Sequence, residues 1–138
     1  MDVIELGSCF KFLRAGPIKK VVFRKDDIRA AIATCGGLCP GLNSVIKQLV
    51  NILSYAYGAK TIYGVKWGYR GFYEDPEKNW IKLNKKRVDN IQNQGGTILG
   101  SSRGGFDADK IIAALEDKKI NQLYLIGGDG THKGINAL

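Results

Sequence analysis

The strongest constraint on this chain is the alternation of short apolar runs with amphipathic segments, joined by loops rich in glycine. Residues 28–34 form an apolar run of strand length, and a glycine-rich loop follows directly at 35–41. Apolar residues recur at helical spacing over 42–56, and 61–65 is a second run of strand length. Strands that alternate with helices in this way indicate an α/β fold: an open, mostly parallel sheet with helices on both faces.

The second half of the chain continues this pattern less regularly. Residues 67–73 are aromatic and glycine-rich, which predicts a loop. Residues 85–94 predict a short helix with Val88 and Ile91 facing the core, and 123–126 predict a buried, central strand. Between them, an aspartate is expected to cap a helix whose core-facing residues are apolar. The capping residue is Asp107, and the core-facing residues are Ile111, Ile112 and Leu115.

The charge of the chain indicates an anionic partner. Lysine and arginine number 21 against 13 aspartates and glutamates, so the net charge is +8 in a chain of 138 residues. This balance fits either nucleic acid or a phosphorylated small molecule. The 18 glycines favour the small molecule, because glycine lets the backbone approach phosphate closely. Since no DNA-reading helix, zinc motif or aromatic RNA-binding pattern is recognisable, we expect no nucleic-acid partner.

The cysteines and the hydropathy bear on the compartment. Three cysteines without a repeated spacing argue for a reduced, cytosolic setting, and a single histidine gives zinc little support. No apolar run approaches the ~20 residues that span a bilayer. The first five residues carry acid, which signal and transit peptides avoid. We therefore expect a cytoplasmic protein without membrane contact.

The loop at 35–41 is the first candidate site for phosphate. Its glycines have the separation of a P-loop, but Leu42 stands where that motif requires lysine. No G-x-G-x-x-G run follows a strand, so a Rossmann dinucleotide site has no support. Unpaired backbone N–H groups at a helix start attract phosphate, which makes Gly36 and Gly37 candidate binding residues. A tight structural turn is the alternative.

The loop at 127–131 carries an acid between glycines and is expected to open a last helix over 131–138. Magnesium binds through one or two carboxylates together with substrate phosphates, and Asp129 supplies such a carboxylate. Thr131 can donate its hydroxyl to a phosphate or cap the helix. The alternative for Asp129 is a helix N-cap without a metal.

Two further side chains are candidates. Arg103 lies in a third glycine-rich loop, at 97–105, where its guanidinium can bind phosphate oxygens in a forked geometry. Tyr69 is expected either to pack on a nucleotide base or to cover the sheet, since aromatic residues serve both uses.

Several runs of residues, in this order, resemble the ATP-dependent 6-phosphofructokinases, and most closely those of plants. The resemblance spans about residues 12–138. The run 127–131 also occurs in related lipid and NAD kinases, so it indicates the superfamily alone. The run 34–43 followed by Gly-Tyr-Arg-Gly is far more specific to the phosphofructokinases. The matching runs are 14–17, 23–27, 34–43, 68–73, 95–100, 102–105 and 127–131.

The resemblance implies ATP as co-substrate and Mg²⁺ as cofactor. It implies that Gly37 contacts the nucleotide phosphates, and that Arg103 and Gly104 line the ATP site. The phosphate tail would be held by the run Gly128, Asp129, Gly130 and Thr131, with Asp129 as the magnesium ligand. Gly130 favours ATP, because relatives that use pyrophosphate often carry a second aspartate there.

The resemblance also implies an activity: phosphorylation of fructose 6-phosphate to fructose 1,6-bisphosphate in glycolysis. The family's general base and sugar-phosphate arginines would lie beyond Leu138. We therefore expect residues 1–27 to form an N-terminal extension and 28–138 an incomplete ATP-binding domain, which supplies the ATP and magnesium site only. Fructose 6-phosphate binding and a homo-oligomer belong to the complete enzyme. The alternatives are a non-catalytic nucleotide-binding or regulatory fragment and a pyrophosphate-dependent phosphofructokinase.

Overall fold

The computed structural model of the chain describes residues 3–6, 9–12 and 23–138. The first two stretches, Val3–Leu6 (β1) and Cys9–Phe12 (β2), form a two-stranded antiparallel sheet. The run 14–17, which contributes to the family resemblance, lies outside the described residues. A single 3-10 turn at Lys25–Asp27 leads into the main sheet.

The main sheet has four strands, in the order β5-β4-β3-β6. At its centre, Arg29–Thr34 (β3) pairs in parallel with Thr61–Val65 (β4) on one side and with Gln122–Ile126 (β6) on the other. Trp80–Lys82 (β5) runs antiparallel to β4 and forms one edge of the sheet. Because β3 and β6 are parallel neighbours, the loops that follow them begin at the same end of the sheet, where the carboxyl ends of the two strands lie.

Helices cover both faces of this sheet. On one face, Leu42–Tyr55 (α1) and Lys85–Val88 (α3) enclose a core that includes Ile32, Ile46 and Val50. On the other face, Ala108–Asp117 (α4) packs against the turn at Gly68–Phe72 over a second core cluster. The expected α/β architecture, with a mostly parallel sheet between two helical layers, is confirmed. None of the helices in the described residues is both long enough and apolar enough to cross a membrane.

Two expectations for the middle of the chain were wrong, and two short elements there were not predicted. The predicted loop at 67–73 contains a 3-10 helix, Gly68–Phe72, because Tyr69 and Phe72 turn into the core and tighten the backbone around them. The predicted helix at 85–94 is two short pieces, α3 and a 3-10 turn at Ile91–Asn93, although Val88 and Ile91 are buried as expected. Pro76–Asn79 (α2) and β5 were not anticipated.

The last three elements also differ from expectation in part. Asp107 caps α4 as predicted, through a hydrogen bond from the Lys110 backbone N–H, but Ile112 is exposed because it lies one residue round the helix from buried Ile111. The strand predicted at 123–126 is present as β6, but the prediction that it is buried and central was wrong. Within the described residues it is half-buried along its length, because it lies at the edge of the sheet and pairs with β3 alone. The last helix is Asp129–Ile135 (α5), which begins two residues and ends three residues earlier than predicted.

Candidate functional site

The three glycine-rich loops come together around one pocket of about 380 Å³. The loops after β3 and β6 line the pocket at the carboxyl ends of these strands. The loop at 102–104 also lines the pocket. All nine residues predicted for the site line this pocket. They are Gly36, Gly37, Tyr69, Arg103, Gly104, Gly128, Asp129, Gly130 and Thr131.

The loop after β3 is held in place through its backbone. The N–H of Cys35 donates to the carbonyl of Ile126 at 2.8 Å, which extends the pairing of β3 and β6 by one residue. The N–H of Gly36 then donates to the carbonyl of Ser102 at 3.0 Å. The loop is therefore held to the end of β6 and to the loop at 102–104, and Gly37 is left exposed at its surface.

The guanidinium of Arg103 stands near this exposed glycine. A side-chain carbon added at Gly37 would lie 3.8 Å from Arg103 Nη2. Both Arg103 and Gly104 are exposed, and Gly104 adopts a φ of +72°, a conformation that favours glycine. Arg103 thus brings a positive charge close to Gly37, a position where the backbone carries no side chain.

The loop after β6 places Asp129 at the first residue of α5. Gly128 is the N-cap of this helix, and no side chain caps it. The alternative that Asp129 is the N-cap is therefore wrong, and so is a capping role for Thr131, which lies inside the first turn and is buried. Asp129 is exposed and its side chain does not cap the helix, so its carboxylate remains available to a ligand.

Tyr69 packs in the core and also borders the pocket. Its ring belongs to the core cluster that contains Phe72 and Trp80, and it meets Phe106 edge-on at 5.1 Å between ring centroids. Its hydroxyl donates to the carbonyl of Thr131 at 2.7 Å. Of the two expectations for Tyr69, the structure therefore supports covering the sheet, and it adds a link to the first turn of α5.

Burial raises the pKa of two titratable groups that line the pocket, Cys35 and Tyr69, further above physiological pH. It raises the pKa of the Cys35 thiol from 9.0 to about 11, and a backbone hydrogen bond from Tyr69 offsets this only in part. Burial, and then the neighbouring Cys35 thiolate, raise the pKa of Tyr69 to about 12. Among the described residues, the charged side chains that line the pocket are those of Arg103 and Asp129.

Three lining residues were not among the predicted ones: Cys35, Ser102 and Phe106. Cys35 and Ser102 are direct neighbours of predicted residues, so proximity in the loop is a signal that could have found them. Phe106 had no such signal, because the chain must first turn back at Gly104 and Gly105, both at positive φ, before its ring reaches the pocket. It is 39% exposed, which leaves part of the ring free to contact a ligand.

The residues present fit a magnesium ion that is bound together with phosphates. Within the described part of the chain there is no cluster of three or more histidine, cysteine, aspartate or glutamate residues that would enclose a metal by itself. Magnesium commonly takes one or two carboxylates from the protein and the remaining ligands from phosphates and water. Asp129, exposed at the pocket beside three glycines, matches that donor set.

Comparison with known proteins assigns the chain to a family. The family model described as Phosphofructokinase matches residues 29–138, from the first residue of β3 onward. The chain therefore belongs to the phosphofructokinase family, and the resemblance noted in the sequence is confirmed.

Individual relatives agree with this assignment. ATP-dependent 6-phosphofructokinase 7 of Arabidopsis thaliana is 55% identical over 127 residues, which are 92% of this chain and 26% of the relative. The ATP-dependent 6-phosphofructokinase of Borreliella burgdorferi is 50% identical over 121 residues, 88% of this chain and 27% of the relative. The chain spans about a quarter of the length of the curated relatives it matches.

A solved structure shares the fold. Phosphofructokinase from Pichia pastoris, crystallised in the T-state, matches with a TM-score of 0.72 and 25% identity over 80% of this chain and 12% of that one. Relatives of similar identity include one named chloroplastic, so similarity alone does not fix the compartment. The cytoplasm stays a prediction.

Proposed function

We propose that the pocket binds the triphosphate of ATP with Mg²⁺, and that the protein to which this chain belongs phosphorylates fructose 6-phosphate. One observation carries the proposal: three glycine-rich loops from separate parts of the chain converge on one pocket whose charged side chains are Arg103 and Asp129. Loops at the carboxyl ends of parallel strands are where open α/β sheets bind ligands.

The pocket suits a polyphosphate because its walls expose backbone. Side chains added at Gly104, Gly128 and Gly130 would meet no atom within 4 Å, so phosphate oxygens can approach the main chain at all three positions. The Arg103 guanidinium offers a forked pair of donors to phosphate from the opposite side. Together they give one positive side chain and open backbone for the negative charge of the ligand.

Asp129 is the residue of this chain that would hold the magnesium ion. When bound, the ion supplies charge neutralisation on the phosphate oxygens. Asp129 keeps its carboxylate at the pocket because it begins α5 without capping it. Its role is to fix the phosphate tail relative to Arg103, since positioning and charge stabilisation account for most of the catalysis in phosphoryl transfer.

The overall reaction transfers the terminal phosphoryl group of ATP to a sugar hydroxyl. The bond between the β-bridging oxygen and the terminal phosphorus breaks, a bond from the sugar oxygen to that phosphorus forms, and the hydroxyl proton is released. The products are ADP and fructose 1,6-bisphosphate. Within the described residues, this chain contributes the donor side of that reaction.

Phe106 favours ATP over pyrophosphate. An exposed aromatic ring at the pocket offers an apolar surface on which a nucleotide base can pack. Pyrophosphate has no base and gains nothing from this surface. Gly130 also favours ATP, because glycine at this position places no second carboxylate beside the triphosphate. The relatives at 55% and 50% identity carry ATP-dependent names, so the pyrophosphate alternative is not favoured.

Calorimetry with Asp129→Asn tests the proposal. Asparagine keeps the size of the side chain and removes its charge, so the magnesium-dependent part of ATP binding should weaken roughly tenfold to a hundredfold, as for one charge-assisted contact. Asp109→Asn is the matched control, because Asp109 is an exposed acid on α4 away from the pocket. Equal magnesium-dependent affinities for the wild type and Asp129→Asn would remove Asp129 from the site.

A further inference from the structure

The segment 100–102 is joined to the end of β3 by two short side-chain hydrogen bonds. The Thr34 hydroxyl donates to the carbonyl of Gly100 at 2.6 Å, and the Ser101 hydroxyl donates to the carbonyl of Gly36 at 2.6 Å. Thr34 is 1% exposed, so its bond is shielded from water. The two bonds run in opposite directions between the same two stretches of chain, which fixes their separation and their register.

Arg103 directly follows this segment, and its side chain is held by few contacts of its own. It is exposed, and within residues 23–138 no carboxylate lies within 4.0 Å of its guanidinium. Where the guanidinium stands relative to Gly37 therefore depends on the backbone that carries it. That backbone is positioned by the contacts of Gly100, Ser101 and Ser102.

We propose that Thr34 and Ser101 are positioning residues for Arg103, which hold its loop at the distance from Gly37 that a phosphate requires. The inference rests on the proposed function, since it concerns the shape of the proposed Mg-ATP site. Neither residue needs to touch the ligand: neither lines the pocket. Forked guanidinium–phosphate contacts are directional, so a small shift of the loop is enough to weaken them.

The position of Thr34 explains why a hydroxyl is needed there. Valine has nearly the same shape and would fill the same buried space, but it cannot donate a hydrogen bond. The carbonyl of Gly100 would lose its partner. The Thr97 hydroxyl, which lies 3.1 Å from Thr34 Oγ1, would keep only the hydrogen bond from the Leu99 N–H. A partly buried carbonyl without a partner is costly, and the loop can restore a partner by moving towards water. Serine keeps the donor.

The test measures Mg-ATP affinity by calorimetry in the variants Thr34→Val, Thr34→Ser and Ser101→Ala. Thr34→Val and Ser101→Ala should each weaken binding about tenfold, the loss expected for one partly buried hydrogen bond, and Thr34→Ser should restore it. Ser54→Ala is the matched control, because Ser54 is also half-buried and donates to a backbone carbonyl, at 2.7 Å, but within α1. It should leave the affinity unchanged.

Double variants separate positioning from general stability. In an Arg103→Ala background Thr34→Val should have no further effect, because the residue that it positions is gone. In an Asp129→Asn background it should keep its full effect. An undiminished effect in the Arg103→Ala background, or equal effects of Thr34→Val and Thr34→Ser, would overturn the inference.

Hydrogen exchange keeps this inference separate from the proposed function. If the wild-type chain binds no Mg-ATP, the proposed function fails, and the positioning role is then decided in the unliganded protein. Thr34→Val should speed exchange at the Gly36 amide and through 100–104, while β4 exchanges as in the wild type. Unchanged exchange in those residues would overturn the inference.

Discussion

At the scale of single residues, Cys35 gives the chain a pH dependence. Folding raises the pKa of this thiol from 9.0 to about 11, so the folded state favours the protonated form. The stabilisation is complete below pH 9 and is lost as the pH rises through about 11. We expect the free energy of unfolding to fall by up to about 2–3 kcal/mol from this group across that interval.

The variant Cys35→Ser isolates this contribution, because a serine hydroxyl does not titrate in that range. Thermal melts at a series of pH values between neutral and strongly alkaline should show a steeper fall for the wild type than for Cys35→Ser. Titrations of lysines, and of tyrosines away from Cys35, act on both proteins equally and cancel in the difference. Tyr69 adds to the difference in the same direction, because the Cys35 thiolate raises the pKa of Tyr69 in the wild type alone. Parallel curves for the two proteins would mean that the Cys35 thiol is not shielded from water as the structure has it.

At the scale of elements, two glycines on α5 provide a matched pair. A side-chain carbon at Gly134 would lie 2.5 Å from the hydroxyl of Tyr69, whereas at Gly130 it would meet nothing within 4 Å. Gly134→Ala should therefore destabilise the protein by about 1–3 kcal/mol through overpacking. Gly130→Ala should be neutral or stabilising by up to about 1 kcal/mol, since alanine is the better helix former.

Denaturant unfolding of the two variants measures this difference. If α5 packs on Tyr69 as described, Gly134→Ala shifts the midpoint downward and Gly130→Ala does not. Similar midpoints for both would show that α5 does not lie against the Gly68–Phe72 turn.

The regular elements were predictable because their patterns are long and local. Helix α1 shows apolar spacing over four turns, and β3 and β4 are apolar runs between clear turn residues. The failures are short or depend on tertiary contacts. Strand β5 has three residues, too few for a pattern, and it exists because β4 offers it an edge.

The site was predictable to the extent that phosphate chemistry shows in composition. Glycines beside an acid or an arginine, directly after apolar runs, indicated Asp129 and Arg103 without any knowledge of their separation. Phe106 and the positioning contacts of Thr34 could not be found in this way. They depend on how loops more than 60 residues apart along the chain meet, as the hydrogen bond from Thr34 to Gly100 illustrates.

At the scale of the whole molecule, the open edge of β6 predicts self-association. Within the described residues β6 has a partner on one side only, and unpaired strand edges are templates for further pairing. Exposed apolar residues lie on the neighbouring helices α4 and α5 at Ile112 and Ile135. The net charge of +8 opposes association by repulsion, so added salt should promote it.

Size-exclusion chromatography with light scattering, at several protein concentrations in low and high salt, tests this expectation. The apparent mass should rise with concentration and rise further in high salt. A mass that stays at that of one chain under all these conditions would show that the edge of β6 is protected.

The central claim is that three separate loops form one binding site for Mg-ATP, and a titration followed by NMR tests it most directly. With the isotopically labelled chain, the amides of the three loops should shift together along a single saturation curve. The amide resonances of Gly95 and Gly96, which line a different pocket, should not shift. The amides expected to shift are those of Gly36, Gly37, Arg103, Gly104, Gly128, Asp129, Gly130 and Thr131. Shifts confined to one loop, shifts centred on Gly95 and Gly96, or no shifts at saturating Mg-ATP would contradict the account.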